Sequence, residues 1–164
     1  MSSLLEAFLP LFEEHGVHCI LIGGWAATAH GSLRSTVDID FVYSRSDDNM
    51  DRLVSALQSS HPYLRGAPPG LPFQFDQATL RSGLNFTLTT QLGDIDLLGE
   101  VPGGGNYEQL LPYSEQFQLA GYPCQCVTLD KLIELKRAAG RPKDFEAIAE
   151  LETLREERER QKKG

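Results

Sequence analysis

Ile20-Leu21-Ile22-Gly23-Gly24-Trp25, followed downstream by Thr36-Val37-Asp38-Ile39-Asp40-Phe41-Val42, reads as strand, glycine turn, short helix and strand. Side chains along a strand alternate between faces, so Asp38 and Asp40 point the same way while Ile39 and Phe41 face the core. Two carboxylates roughly 7 Å apart along a strand repel each other and are costly side by side in an apolar setting. A divalent cation removes that cost. A few hard oxygen ligands with coordination positions left open suit Mg²⁺ shared with substrate phosphates better than zinc. Gly23 and Gly24 precede the helix start Trp25-Ala26-Ala27-Thr28-Ala29, where backbone N–H groups can receive a phosphate. A glycine pair alone is an ordinary tight turn and Asp-x-Asp alone an ordinary solvated strand face; their order and spacing carry the reading.

Gly23-Gly24, thirteen residues, then Asp38-Ile39-Asp40-Phe41 resembles the signature of the DNA polymerase beta nucleotidyltransferase superfamily, in its small prokaryotic branch of minimal and abortive-infection toxin-like nucleotidyltransferases. His30-Gly31 and Arg34-x-Thr36, between the two halves, are similar to that branch as well. The resemblance implies a mixed sheet with flanking helices, a nucleoside triphosphate bound with Mg²⁺, and transfer of a nucleoside monophosphate to an acceptor hydroxyl.

At 164 residues the chain fits one domain with room for a real core. A formal charge of −8 argues against broad nucleic-acid binding, which needs a basic footprint, and so weighs against tRNA as acceptor. Three cysteines, Cys19, Cys124 and Cys126, cannot all pair internally; they read as small core residues in a reducing cytoplasm. Cys124-x-Cys126 lacks the second pair or the spaced histidine of a zinc site. The start, Leu4 to Leu9, has no basic leader and does not read as a signal peptide, and no stretch is long enough to span a membrane. His15, His18, His30 and His61 read as structural, with His30 alone worth testing because it lies between the glycines and the acidic strand.

Along the chain, Ser2 or Ser3 caps a first helix with Leu4, Leu5, Phe8, Leu11 and Phe12 on one stripe, bent at Pro10 and ending near Gly16. Val17 to Ile22 is a central strand. Ser44 to Asp48 leads into a helix with Met50, Leu53, Val54 and Leu57 on one face. Residues 61–72 hold four prolines and two glycines, which forbids a regular element; this loop is placed over the substrate mouth or left as a surface excursion. Strands are expected at 74–77, 84–90 and 92–98. The last carries Asp94-Ile95-Asp96, two more carboxylates on one face, either of which can complete a three-carboxylate site; the family resemblance favours Asp96. Residues 100–106 read as a hinge-like glycine turn without a phosphate loop's lysine and hydroxyl.

A short helix at 107–111, strands at 116–120 and 122–127, and a helix capped by Thr128 complete the pattern. Leu129, Leu132 and Ile133 set that helix's buried stripe, and its next position is Lys136. This lysine either lays its stem along the core or directs its ammonium at a triphosphate. Gly140 ends the helix, and Arg141-Pro142-Lys143-Asp144 opens the last one. Two cations at a helix start oppose the macrodipole, so Arg141 and Lys143 imply an external anion or a carboxylate partner. The run from Thr128 to Asp144 also resembles the C-terminal part of the nucleotidyltransferase branch. The last helix is expected to pack through Phe145, Ile148, Leu151 and Leu154 and to give way to a charged tail at about 155–164.

The sequence thus implies an α+β domain spanning 1–164, a mixed sheet flanked by helices with further helices at the C-terminus. Its expected activity is Mg²⁺-dependent nucleotidyl transfer, with Asp38, Asp40 and Asp96 holding two Mg²⁺ ions and Asp96 as ligand or general base. Gly23, Gly24, Arg34, Thr36, Lys136, Arg141 and Lys143 are expected to hold the nucleoside triphosphate, ATP by preference. The acceptor is left open among a small molecule such as an antibiotic, an RNA end or a partner protein. The alternative is a non-catalytic nucleotide- or partner-binding module, such as one component of a toxin–antitoxin pair.

Overall fold

A computed structural model describes residues 3–163, so Ser2 as a helix cap and Gly164 at the tail lie outside the described residues. At the centre of the sheet, β1 (Cys19–Ile22) runs antiparallel to β2 (Asp38–Tyr43). The antiparallel strands β3 (Tyr63–Leu64) and β4 (Asn85–Thr90) extend one side through β5 (Gly93–Leu98), which is parallel to β2. On the other side β6 (Ser114–Leu119) pairs with β7 (Tyr122–Val127), which is parallel to β1. The seven strands form one mixed sheet in the order β3-β4-β5-β2-β1-β7-β6.

Strand β2 shows the expected alternation, with Ile39 and Phe41 fully buried and Asp38 and Asp40 half-buried on the opposite face. Helix α1 (Leu4–His15) covers the apolar face, where the rings of Phe12 and Phe41 meet edge-on at 5.1 Å. Ser3 caps α1 by accepting from Glu6 N–H, and Gly16 ends it in the left-handed region; Pro10 lies inside the helix without ending it. Buried Asn49, on α3 (Asp47–Leu57), accepts from His18 N–H at 2.6 Å and donates to the carbonyls of His18 and Ser44. It therefore clamps the entry of β1 to the exit of β2 and holds the register that places the acidic residues.

Several expectations are corrected. Residues 74–77 form no strand; Asp76 accepts from Thr79 N–H at 2.8 Å and starts helix α4 (Gln77–Ser82). The proline-rich 61–72 segment does contain a regular element, β3, because its Tyr63-Leu64 pair finds an open edge on β4. Tyr63 then organises residues 68–73, donating to Pro68 O, accepting from Leu71 N–H and meeting Phe73 edge-on. The 100–106 turn packs as part of the body, with Gly104 buried and a Val101–Gly105 bridge.

Helix α5 (Tyr107–Leu110) comes next, and helix α6 (Leu129–Ala139) is capped by Thr128 and closed by Gly140. A 3₁₀ turn at Pro142–Asp144 leads into α7, which runs as helix from Phe145 to Lys163. Leu151 is buried in α7 and Ile148 and Leu154 pack partly, but Phe145 is 67% exposed and takes no part in the core. The charged end of α7 is docked through Arg158, which donates to His30 O at 3.0 Å, and through Arg155 beside Asp130. Among the described residues no helix is long and apolar enough to cross a membrane.

Candidate active site

Parallel pairing of β2 with β5 sets Asp38 opposite Asp94 and Asp40 opposite Asp96, so four carboxylates share one face in two rungs. Asp38, Asp40 and Asp96 each offer a carboxylate oxygen within 4.8 Å of the others. Asp94 stands outside that trio. Its Oδ2 faces Arg65 Nε at 3.4 Å, while the same guanidinium reaches Asp38 at 3.5 Å and Asp96 at 2.9 Å. Arg65 directly succeeds β3; its N–H donates to Thr87 O and its Nη2 to Leu88 O at 2.8 Å, so the arginine is anchored on β4 while spanning the carboxylates.

That arginine leaves part of the acidic charge uncompensated. Asp40 Oδ1 and Asp96 Oδ1 are buried without a hydrogen bond, since Arg65 approaches Asp96 at an angle unsuited to one. The Asp40 carboxyl is pushed up to about 8 by burial first, then by the proton it shares with Asp96 and by the charges of Asp38 and Asp96; Lys136 opposes the rise. Three convergent carboxylates, two of them with an orphaned hard oxygen, fit Mg²⁺.

The glycines explain how closely the α2 helix (Gly23–Ala29) approaches this cluster. Gly23 has φ +70°, and a Cβ there would fall 2.1 Å from Asp40 Oδ2; a Cβ on Gly24 would fall 2.7 Å from Thr36 Oγ1. The helix begins at Gly23 itself, with no separate turn before it. Thr36 in turn donates its hydroxyl to Asp38 O, tying the loop to the first residue of β2.

Two chambers meet at the carboxylates. The first, about 370 Å³, is polar and is lined by Gly23, Gly24, Arg34, Thr36, Lys136, Arg141, Lys143 and the three carboxylates among others. Every residue expected to bind nucleotide therefore lines one cavity. The second, about 340 Å³, shares Gly23, Asp40, Asp96, Lys136 and Arg141 with the first but has apolar walls from β5, the 101–102 turn and α6. No residue of the 61–72 segment lines either chamber, so that loop reaches the site only through Arg65.

Lys136 is half-buried with no ion-pair partner among the described residues, and burial lowers its pKa against the pull of Asp144 and Asp40. Arg141 finds the carboxylate partner its position implies, donating through Nε to buried Asp144 at 2.7 Å. Arg34 pairs with Glu146 at 3.6 Å. His30 is structural: its Nε2 lies 2.7 Å from Val127 O, its ring packs edge-on against Phe117, and burial lowers its pKa. All three cysteines are free, and burial pushes the Cys124 thiol up to about 12, as befits inert core residues.

No protein-family model matches the chain, and no curated protein matches it significantly in sequence. Solved structures do match. The lincosamide antibiotic adenylyltransferase LnuA, bound to lincomycin, superposes with a TM-score of 0.61 at 17% identity, covering 94% of this chain and 98% of that one. The chain shares its fold. The antibiotic-resistance factor ANT(2″)-Ia gives a TM-score of 0.54 at 17% identity, over 96% of this chain and 90% of that one. Its complex with adenylyl-2″-tobramycin gives the same score and identity over 92% and 84%. At that identity the likeness establishes a shared fold.

Proposed function

We propose that the protein is a Mg²⁺-dependent nucleotidyltransferase that moves a nucleoside monophosphate, from ATP by preference, to a hydroxyl acceptor. The observation that carries this reading is the convergence of Asp38, Asp40 and Asp96 within 4.8 Å of one another where two chambers meet. The adenylyltransferase neighbours support it and favour the adenine nucleotide. The three carboxylates would hold Mg²⁺, which when bound supplies Lewis-acid polarisation of the α-phosphate and offsets developing charge.

The chain's own residues account for the rest. Gly23 and Gly24 let the phosphates approach backbone without side-chain hindrance. The Lys136 ammonium, free of an ion pair among the described residues, offsets phosphate charge, and Lys143 and Arg34 add positive potential at the rim of the same cavity. Asp96, open to both chambers, takes the acceptor proton. In-line attack forms the bond from acceptor oxygen to the α-phosphorus, and the electron pair of the broken bond leaves with pyrophosphate.

The test is labelled transfer. With [α-³²P]ATP, Mg²⁺ and cell extract, label enters an acceptor fraction and pyrophosphate is released in step, while Asp40→Asn gives neither. Equal labelling by wild type and Asp40→Asn contradicts the reading.

A further inference from the structure

The two chambers share a wall but differ in chemistry. One is lined with hydroxyls, cations and carboxylates; the other is walled by Leu98, Val101, Leu132 and Leu135, with its polar groups confined to the shared edge. Resting on the nucleotidyl transfer reading, we propose that the apolar chamber is the acceptor site and takes a compact hydroxyl compound with an apolar body and no cluster of amines.

Nucleotidyl transfer needs two substrates to meet at the carboxylates from different sides, and Asp40 and Asp96 are the only carboxylates lining both chambers among the described residues. The polar chamber suits a triphosphate. The other chamber's lining contains no aromatic ring, hydroxyl or side-chain amide among the described residues, so a nucleobase there has nothing to stack on and faces leucines with its polar edges. An apolar-bodied alcohol has the opposite match: its body displaces water from Val101, Leu132 and Leu135 while its hydroxyl reaches Asp96. Charge selects in the same direction. Lys136 and Arg141 stand at the shared edge, and the only carboxylates in the chamber, Asp40 and Asp96, are those assigned to the cation. A polyamine acceptor therefore meets the unpaired Lys136 ammonium, an Arg141 already paired with Asp144, and no carboxylate that the cation leaves over. In the reaction the acceptor oxygen bonds to the α-phosphorus, its proton passes to Asp96 and then to solvent, and pyrophosphate leaves.

The experiment titrates ¹⁵N-labelled full-length protein, with Mg²⁺ and α,β-methylene-ATP present, with benzyl alcohol and in parallel with tobramycin as polycation. Benzyl alcohol is expected to shift the amides of Val101, Leu132 and Leu135, and tobramycin to leave them unmoved. Val101→Phe and Ala139→Phe, which narrow the chamber from two sides, are expected to weaken benzyl alcohol tenfold or more and to change nucleotide affinity less than twofold. Shifts of these amides by benzyl alcohol in a matched titration without the analogue, and none with it, assign the chamber to the nucleoside and overturn the proposal while leaving nucleotide binding intact. Tobramycin binding there, or unmoved amides with benzyl alcohol, also overturns it. Failure of the analogue to bind at all removes the parent reading and this one together.

Discussion

Arg65 Nη2 lies 2.9 Å from Asp96 Oδ1, and the same guanidinium faces Asp38 and Asp94. A backbone-anchored cation thus stands against the acidic face. Because Leu88 O and the backbone pairing to Thr87 anchor it on β4, Arg65 holds the carboxylates together before any ligand arrives.

Removing Arg65 leaves like charges facing each other, and the groups involved are only partly buried, so screening limits the cost. Arg65→Ala is expected to destabilise the Mg²⁺-free protein by about 1–2 kcal/mol. Millimolar Mg²⁺ recovers part of that loss, giving the variant a larger metal-induced rise in the urea midpoint than wild type. An equal rise in both proteins contradicts this role for Arg65.

Gly23 combines a left-handed backbone with a missing Cβ whose place lies against Asp40, whereas Gly66 has φ +79° with nothing within 4 Å. Gly66→Ala therefore reports backbone strain alone, roughly 1–2 kcal/mol. Gly23→Ala adds displacement of a site carboxylate and is expected to cost more stability and to abolish transfer. The two variants are compared by urea melts and by pyrophosphate release.

Much of this site is legible in sequence, and the limits have a physical origin. Asp38 and Asp40 follow from strand alternation, but parity treats Asp94 and Asp96 alike; only the β2–β5 register sets Asp96 opposite Asp40 and leaves Asp94 a rung away, outside the converging trio. Arg65 goes unnoticed because its place depends on the β3–β4 edge pairing, a non-local contact inside a segment dominated by proline and glycine. The signal that could have found it is the excess of four carboxylates on one face, which demands a fixed cation. Helix α4 has its own local signal, Asp76 placed to accept from the N–H of Thr79 and so cap a helix start, which the expected strand at 74–77 passes over. Phe145 fits a helical stripe yet stays exposed at the very start of α7, directly after the 3₁₀ turn.

Asp40 gives a pH dependence of defined sign. Its folded pKa of about 8 lies above its ordinary value of 3.8, so between those pH values the folded state binds more protons than the unfolded state. Stability contributed by this group is present at acid pH and falls as pH rises toward 8, by at most about 1.4 kcal/mol per unit. His30, with a lowered pKa, acts oppositely near its own range, so the comparison is wild type against Asp40→Asn, which keeps His30. In chelator, wild type is expected to lose stability relative to the variant from pH 5 to pH 8; parallel curves contradict the assignment.

Lys136→Met keeps the stem that packs beside Leu132 and Leu135 and removes the charge. ATP affinity is expected to fall tenfold or more, about 1.4 kcal/mol, with little change in the thermal midpoint. Isothermal titration makes the check, and unchanged affinity would leave this lysine a packing residue only.

Metal binding by the three carboxylates is measurable without an acceptor. Mn²⁺, as a paramagnetic stand-in for Mg²⁺, is titrated against wild type, Asp40→Asn, Asp96→Asn and Asp94→Asn with the bound fraction read by electron paramagnetic resonance. Wild type and Asp94→Asn are expected to bind comparably and to bind more tightly with ATP present, while Asp40→Asn and Asp96→Asn lose affinity at least tenfold. Undiminished Mn²⁺ binding by both Asp40→Asn and Asp96→Asn would contradict the account.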